Sequence, residues 1–227
     1  MGICRENGLE FYDGKQEYLP EYFDVFFQHH SEFNLGRIGA PFRGLHIIRD
    51  PRDVIVSGCF YHQKSDEAWL HIPQQRFQGM TYQQKICSYS RRSDQVLFEM
   101  EQCGRRTIES MTKWDYTQTR FYEVKYEHLV QDENLDLFRK IFTFLGFPAG
   151  CMPGVLQHAS DNSLFSGRLQ KSLHIRSGRP QQWKQFFTPD HKKRFLELFA
   201  DALVTLGYET DNDWSVDQAS GADPEDQ

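Results

Sequence analysis

The chain has no apolar run approaching the length that a membrane span needs, and Met1–Gly8 lacks the apolar core of a secretory signal. A cytoplasmic protein without a membrane span is the expectation. Cysteine is sparse: Cys4, Cys59, Cys87, Cys103 and Cys151 are odd in number and scattered, with no C-x-x-C pair. This argues against a disulfide framework or a zinc knuckle, and for free thiols in a reducing compartment. No Gly-x-x-x-x-Gly-Lys-Ser/Thr sequence occurs, which disfavours a P-loop kinase. Positive charge is short overall, with 26 Lys/Arg against 32 Asp/Glu and a formal charge of −6. A general nucleic-acid binder is therefore not expected.

The shortage of positive charge is uneven. Between Arg168 and Arg194 stand eight Lys/Arg and one acid, Asp190, so this segment is +7 and the remainder is −13. A run of like charge is commonly a solvated face. Gly178, Pro180 and Trp183 interrupt this one, which instead suits a loop that meets an anionic ligand. The 227 residues are enough for one domain with a sizeable core. The expectation is a single domain over residues 1–214, followed by an acidic tail, 215–227, with no apolar pattern and a disordered composition.

The most informative stretch runs from Gly44 to Ser57. Leu45–Ile48 is an apolar run of the length of a buried parallel strand. Pro51, which has no N–H for a sheet ladder, ends it. Asp53 reads as a helix N-cap, with a helix from Val54 to about His62 and Ser57 one turn into it. Ligands bind at the carboxyl ends of strands in open α/β sheets. Arg49 and Ser57 there offer a guanidinium and a hydroxyl to one phosphate beside a helix N-terminus. The competing reading is that Arg49 pairs with Asp50 or Asp53 and fastens the turn.

Arg49-Asp-Pro-Arg-Asp-Val-Ile-Val-Ser57 resembles the 3′-phosphate motif of sulfotransferases that use 3′-phosphoadenosine 5′-phosphosulfate (PAPS). Arg176-Ser-Gly178-Arg-Pro-Gln-Gln-Trp183-Lys184-Gln-Phe-Phe187-Thr188 is similar to the late loop of that family, with its intervals kept. The resemblance implies an α/β fold of the P-loop-NTPase-like sulfotransferase kind, a parallel sheet flanked by helices. It implies that Arg49, Ser57, Arg176, Ser177 and Gly178 hold the 3′-phosphate. Tyr126-Glu127-His128-Leu129 resembles a Tyr-Glu-Asp-Leu segment whose Tyr lies near the adenine. Asn162-Ser163-Leu164-Phe165 looks like the segment flanking the base, which makes Ser163 a candidate contact. A His about twenty residues before the motif Arg is the general base in cytosolic members. His30 is nineteen residues before Arg49 and His29 twenty; His30 is the candidate base, and both are otherwise surface histidines.

The remaining elements follow from pattern. Phe23, Val25 and Phe27 alternate within Glu21–His30 as in a strand, and Arg120–Tyr126 does the same. Residues 66–114 read as mostly helical, broken near Pro73, Gly79 and Gly104, with their aromatics assigned to core. A helix is expected from Asn134 to Leu145, stopped by Gly146. A last one begins at Thr188-Pro189 and runs to Gly207.

Members of the family also carry a strand and a Lys-x-Gly-Thr/Ser-x-Trp loop for the 5′-phosphosulfate, a sequence that does not occur in these 227 residues. The resemblance therefore covers about residues 20–214, and an N-terminally truncated chain is the simplest account. The implied function is sulfuryl transfer from PAPS to a hydroxyl or amine of a small-molecule, glycan or lipid acceptor, giving PAP without a metal. A non-catalytic PAP- or PAPS-binding module is the alternative, and an oligomer is possible on either reading.

Overall fold

Short apolar runs become strands paired in parallel, and the longer amphipathic stretches become helices. The computed structural model describes residues 2–29, 31, 33–39, 41–167 and 177–216. In chain order the first elements are α1 (Gly2–Glu6), β1 (Phe11–Asp13), β2 (Val25–Phe27), β3 (Gly44–Ile48) and α2 (Pro51–His62). There follow α3 (Tyr82–Cys87), α4 (Arg92–Glu99), α5 (Arg105–Lys113), β4 (Phe121–Lys125) and α6 (Tyr126–Leu129). The last are α7 (Asp136–Leu145), α8 (Met152–Asp161), α9 (Pro189–Phe199) and α10 (Ala202–Thr205). The class is α/β, with parallel strand pairs among helices, as expected.

Packing divides the chain into two units, Met1–Ile48 with Lys113–Gln170, and Arg49–Thr112 with Lys171–Gln227. In the first, β1 pairs with β2 from Phe11↔Val25 to Asp13↔Phe27, and β3 with β4 from Gly44↔Phe121 to Ile48↔Lys125. Phe33 and Phe42 close edge-on against Phe121, and Trp114 meets the same ring at 4.9 Å. Helices α7 and α8 bury Phe142, Met152, Val155 and Leu156 between them. Asp132 caps α7, its carboxylate accepting from the N–H groups of Leu137 (3.0 Å) and Phe138 (2.9 Å). Gly146, at φ +92°, ends that helix as expected.

In the second unit α2 is the central helix, with Ile55 and Cys59 fully buried and α3 and α4 packed on it. Its start corrects the sequence reading. The N-cap is Asp50, whose side chain accepts from the Arg52 N–H at 2.9 Å, and Pro51 is the first helical residue. Proline is suited to that position because its missing N–H would have no helical partner there. Asp53 is thus inside the first turn, and Ser57, the seventh helical residue, is about two turns in rather than one.

Three further readings change. The strand expected within Glu21–His30 is confined to Val25–Phe27. Gly104 does not break the helical run: Met100–Gly104 form a π-helical turn joining α4 to α5. The final helix does break, at Ala200 (φ +43°), into α9 and α10. Its start is as read, with Thr188 as N-cap and Pro189 first. Among the described residues no helix is long and apolar enough to cross a membrane.

Candidate nucleotide-binding site

The two motifs meet in the second unit through Asp53. Because the helix is capped by Asp50, the Asp53 carboxylate is available to the late loop. Its Oδ2 accepts from the Gln181 N–H at 2.7 Å, and Oδ1 from the Trp183 N–H at 2.9 Å. Asp53 is 1% exposed. Burial pushes its carboxyl above the usual range, while the Trp183 N–H and the positive charge of Arg49 act to lower it.

Arg52 supports the same junction. Its Nε and Nη2 donate to the two oxygens of Asp50 at 3.0 and 2.8 Å, and Nη1 to Glu209 at 2.6 Å. The guanidinium lies 3.8 Å from the Trp183 ring centre and 4.8 Å from that of Trp214. A cation buried to 2% exposure is thus neutralised by two carboxylates and flanked by two π-faces. From sequence Asp53 was read only as a helix N-cap or a partner of Arg49, and Arg52 was given no role, although both stand inside the first motif.

The late loop is shaped by left-handed residues. Gly178 has φ +64° and Gln181 φ +61°, and the Ser177 hydroxyl accepts from the Arg179 N–H at 3.3 Å. A residue other than glycine at Gly178 would be strained. Arg176 lies outside the described residues, as do His30 and the tail from 217. The Asp53 clamp ties the first turn of α2, which Arg49 precedes in the chain, to the Gln181–Trp183 turn, which Ser177 and Gly178 precede. A guanidinium, two hydroxyls and loop amides are a donor set whose chemistry fits a phosphate dianion.

In the first unit Tyr126 directly follows β4 and opens α6. Ser163 is 8% exposed, and its hydroxyl donates to the Ser160 carbonyl at 2.7 Å while the residue caps a short helical turn. His29 is largely exposed, with Nε2 3.3 Å from Asp13. A network not anticipated from sequence centres on His46. Its Nδ1 is 2.6 Å from Glu123 Oε2, its Nε2 is 2.7 Å from the Ser31 hydroxyl, and its ring stacks on Trp114 at 4.3 Å. The pairing His46↔Glu123 across β3 and β4 creates it.

No curated protein sequence matches the chain. Among solved structures it is similar to the crystal structure of mouse sulfotransferase SULT7A1 complexed with PAP, at 17% identity and a TM-score of 0.43, covering 82% of this chain and 67% of that one. The sequence model of the sulfotransferase domain family matches residues 40–207, a span that contains both motifs and the Asp53 clamp between them. The chain belongs to the sulfotransferase domain family.

Proposed function

We propose that the protein moves a sulfuryl group from PAPS to a hydroxyl or amine of a small-molecule, glycan or lipid acceptor. The observation that carries this reading is the Asp53 clamp. Two motifs that resemble 3′-phosphate-binding segments, about 130 residues apart, are fastened to each other by one buried carboxylate. Arg49, Ser57, Arg176, Ser177 and Gly178 are assigned to the 3′-phosphate, with Tyr126 and Ser163 on the adenine side. Because Ser57 is two turns into α2, an anion shared with Arg49 lies along the side of the helix rather than on its axis.

PAPS supplies an activated sulfur, whose bond to the leaving phosphate oxygen breaks as the acceptor oxygen or nitrogen bonds to it. His30 is assigned as the base that takes the acceptor's proton, and a neutral imidazole suits that task near pH 7. Arg49 holds the nucleotide end that does not react, so it contributes to affinity more than to the proton transfer. The second reading is a nucleotide-binding module that does not itself transfer sulfate.

Calorimetry with adenosine 3′,5′-bisphosphate and with AMP tests the nucleotide assignment. A charge-assisted contact contributes on the order of 1.5–3 kcal/mol. The bisphosphate should therefore bind roughly tenfold or more tighter than AMP, and Arg49→Ala should remove most of that preference. Equal affinities would refute the assignment. Transfer of labelled sulfate from PAPS to phenols, sugars and lipids separates enzyme from module. His30→Ala should lower transfer about 100-fold or more with nucleotide affinity unchanged.

A further inference from the structure

The second unit holds another polar cluster that sulfuryl transfer does not use. Glu99, at the end of α4, is 1% exposed. Its Oε2 lies 2.9 Å from His62 Nδ1 and accepts from the Tyr82 hydroxyl at 2.8 Å. The coordinating atoms of His62, Glu99 and Cys103 all lie within 4.8 Å of one another. Trp69 and Tyr82 stand edge-on to the His62 ring at 5.2 and 5.5 Å.

We propose that His62 Nδ1, Glu99 Oε2 and Cys103 Sγ form a binding site for one Zn²⁺ ion. Imidazole, carboxylate and thiolate are the three ligand types zinc takes, at roughly 2.0–2.3 Å. Around a tetrahedral ion such atoms lie roughly 3.3–3.8 Å apart, so His62 Nδ1 and Glu99 Oε2 must part by about 0.5 Å from 2.9 Å, and Cys103 Sγ needs a contraction of up to about 1 Å. Side-chain rotation of the partly exposed Cys103 can supply it. The backbone is built for the approach. Glu99 and Cys103 are four residues apart, across the π-helical turn Met100–Gly104, and single π-turns are frequent at functional sites. Gly58 admits the carboxylate, since a Cβ there would lie 2.6 Å from Glu99 Oε1. A Cβ on Gly104 would likewise be crowded, 3.0 Å from the Glu99 carbonyl oxygen.

Charge supports the assignment. A carboxylate this deeply buried calls for a cation. Zn²⁺ with one carboxylate, one thiolate and a neutral imidazole sums to zero, so the filled site carries no net charge into the interior. On binding, the Cys103 thiol gives its proton to the buffer and the S–Zn bond forms; the proton that His62 Nδ1 directs at Glu99 leaves that nitrogen as the N–Zn bond forms, and the neutral ring carries its proton on Nε2. Nothing is oxidised or reduced. The ion then braces the end of α2 against the α4–α5 junction.

The test uses the full chain, stripped with a chelator and titrated with Co²⁺ as an optical stand-in for zinc, with bound Zn²⁺ measured by elemental analysis. One equivalent should bind, with a near-ultraviolet thiolate-to-cobalt charge-transfer band. Cys103→Ser, with the other four cysteines intact, should lose the band and keep its far-ultraviolet circular dichroism. Tyr82→Phe, which leaves all three ligands, should weaken zinc affinity by about 10- to 100-fold, the usual effect of an outer hydrogen-bond partner. An unchanged band in Cys103→Ser, or no stoichiometric binding by the parent chain, overturns the proposal. His62→Gln gives the same decision if Cys103→Ser fails to fold.

Discussion

Replacing Asp53 by alanine tests the junction on which the functional reading rests. Two backbone donors, Gln181 N–H and Trp183 N–H, lose a charged acceptor. A buried donor left unsatisfied costs about 1–3 kcal/mol. Gln181 is exposed and water can replace its acceptor, whereas Trp183 is 4% exposed and its amide is not easily rehydrated. The loss should therefore be about 2–4 kcal/mol, read as a lower urea midpoint with the slope unchanged. Asp53→Asn should be milder, because it keeps one acceptor and relieves the buried charge. Burial holds the folded carboxyl above its ordinary 3.8, so the folded state binds that proton more tightly than the unfolded one. Its contribution to stability accordingly falls as pH rises through the interval just above 3.8, and Asp53→Asn removes that slope. Affinity for adenosine 3′,5′-bisphosphate should drop about tenfold or more in Asp53→Ala, since Ser177 and Gly178 lose their tether to the Arg49 helix. A variant within about 0.5 kcal/mol of the parent, with unchanged affinity, would refute the clamp.

Arg52→Leu should cost about 3–5 kcal/mol in a urea melt, because it leaves Asp50 and Glu209 without their shared cation. Gly178→Ala should cost about 1–2 kcal/mol at φ +64° and weaken nucleotide binding in calorimetry. His191 is held neutral: burial lowers its pKa from 6.5, against opposing effects of the Ser93 carbonyl and of Asp190 and Asp94, while Nε2 lies 2.8 Å from that carbonyl. The unfolded chain thus takes up the extra proton, so stability should fall as pH drops below about 6.5, by at most about 1.4 kcal/mol per pH unit, and His191→Gln should flatten that dependence in denaturation at pH 7.5 and 5.5.

The strand at Leu45–Ile48 and the helix after it were legible because an apolar run ending in Asp-Pro has few alternatives. The cap was misread because Pro51 has two local meanings, strand end and first helical residue. Only the pairing of Asp53 with Gln181 and Trp183 separates them, and those partners are 128 and 130 residues away. The same distance hid the role of Arg52. Among the candidate site residues, Arg49 and Gly178 were proposed from motif wording, whereas the pairing of His46 with Glu123 depends on strand register. His62, Glu99 and Cys103 escaped notice for a related reason: metal-ligand spacing is readable within one helix, but not between the end of α2 and a π-turn that local pattern suggested was a break. His30 and Arg176 lie outside the described residues.

The parallel register of β3 with β4 has a kinetic consequence. Gly44 must find Phe121, 77 residues later, before the first ladder bond can form. Closing so long a segment is entropically unfavourable, and parallel pairs gain nothing until it is closed. The intervening chain, however, is largely α2 to α5, whose contacts with one another are shorter in range. If those helices collapse first, the effective separation of the two strands shrinks and pairing becomes fast. Mutations on the buried face of α2, such as Ile55→Ala, should then slow refolding as well as speed unfolding, whereas changes within β4 should act mainly on unfolding.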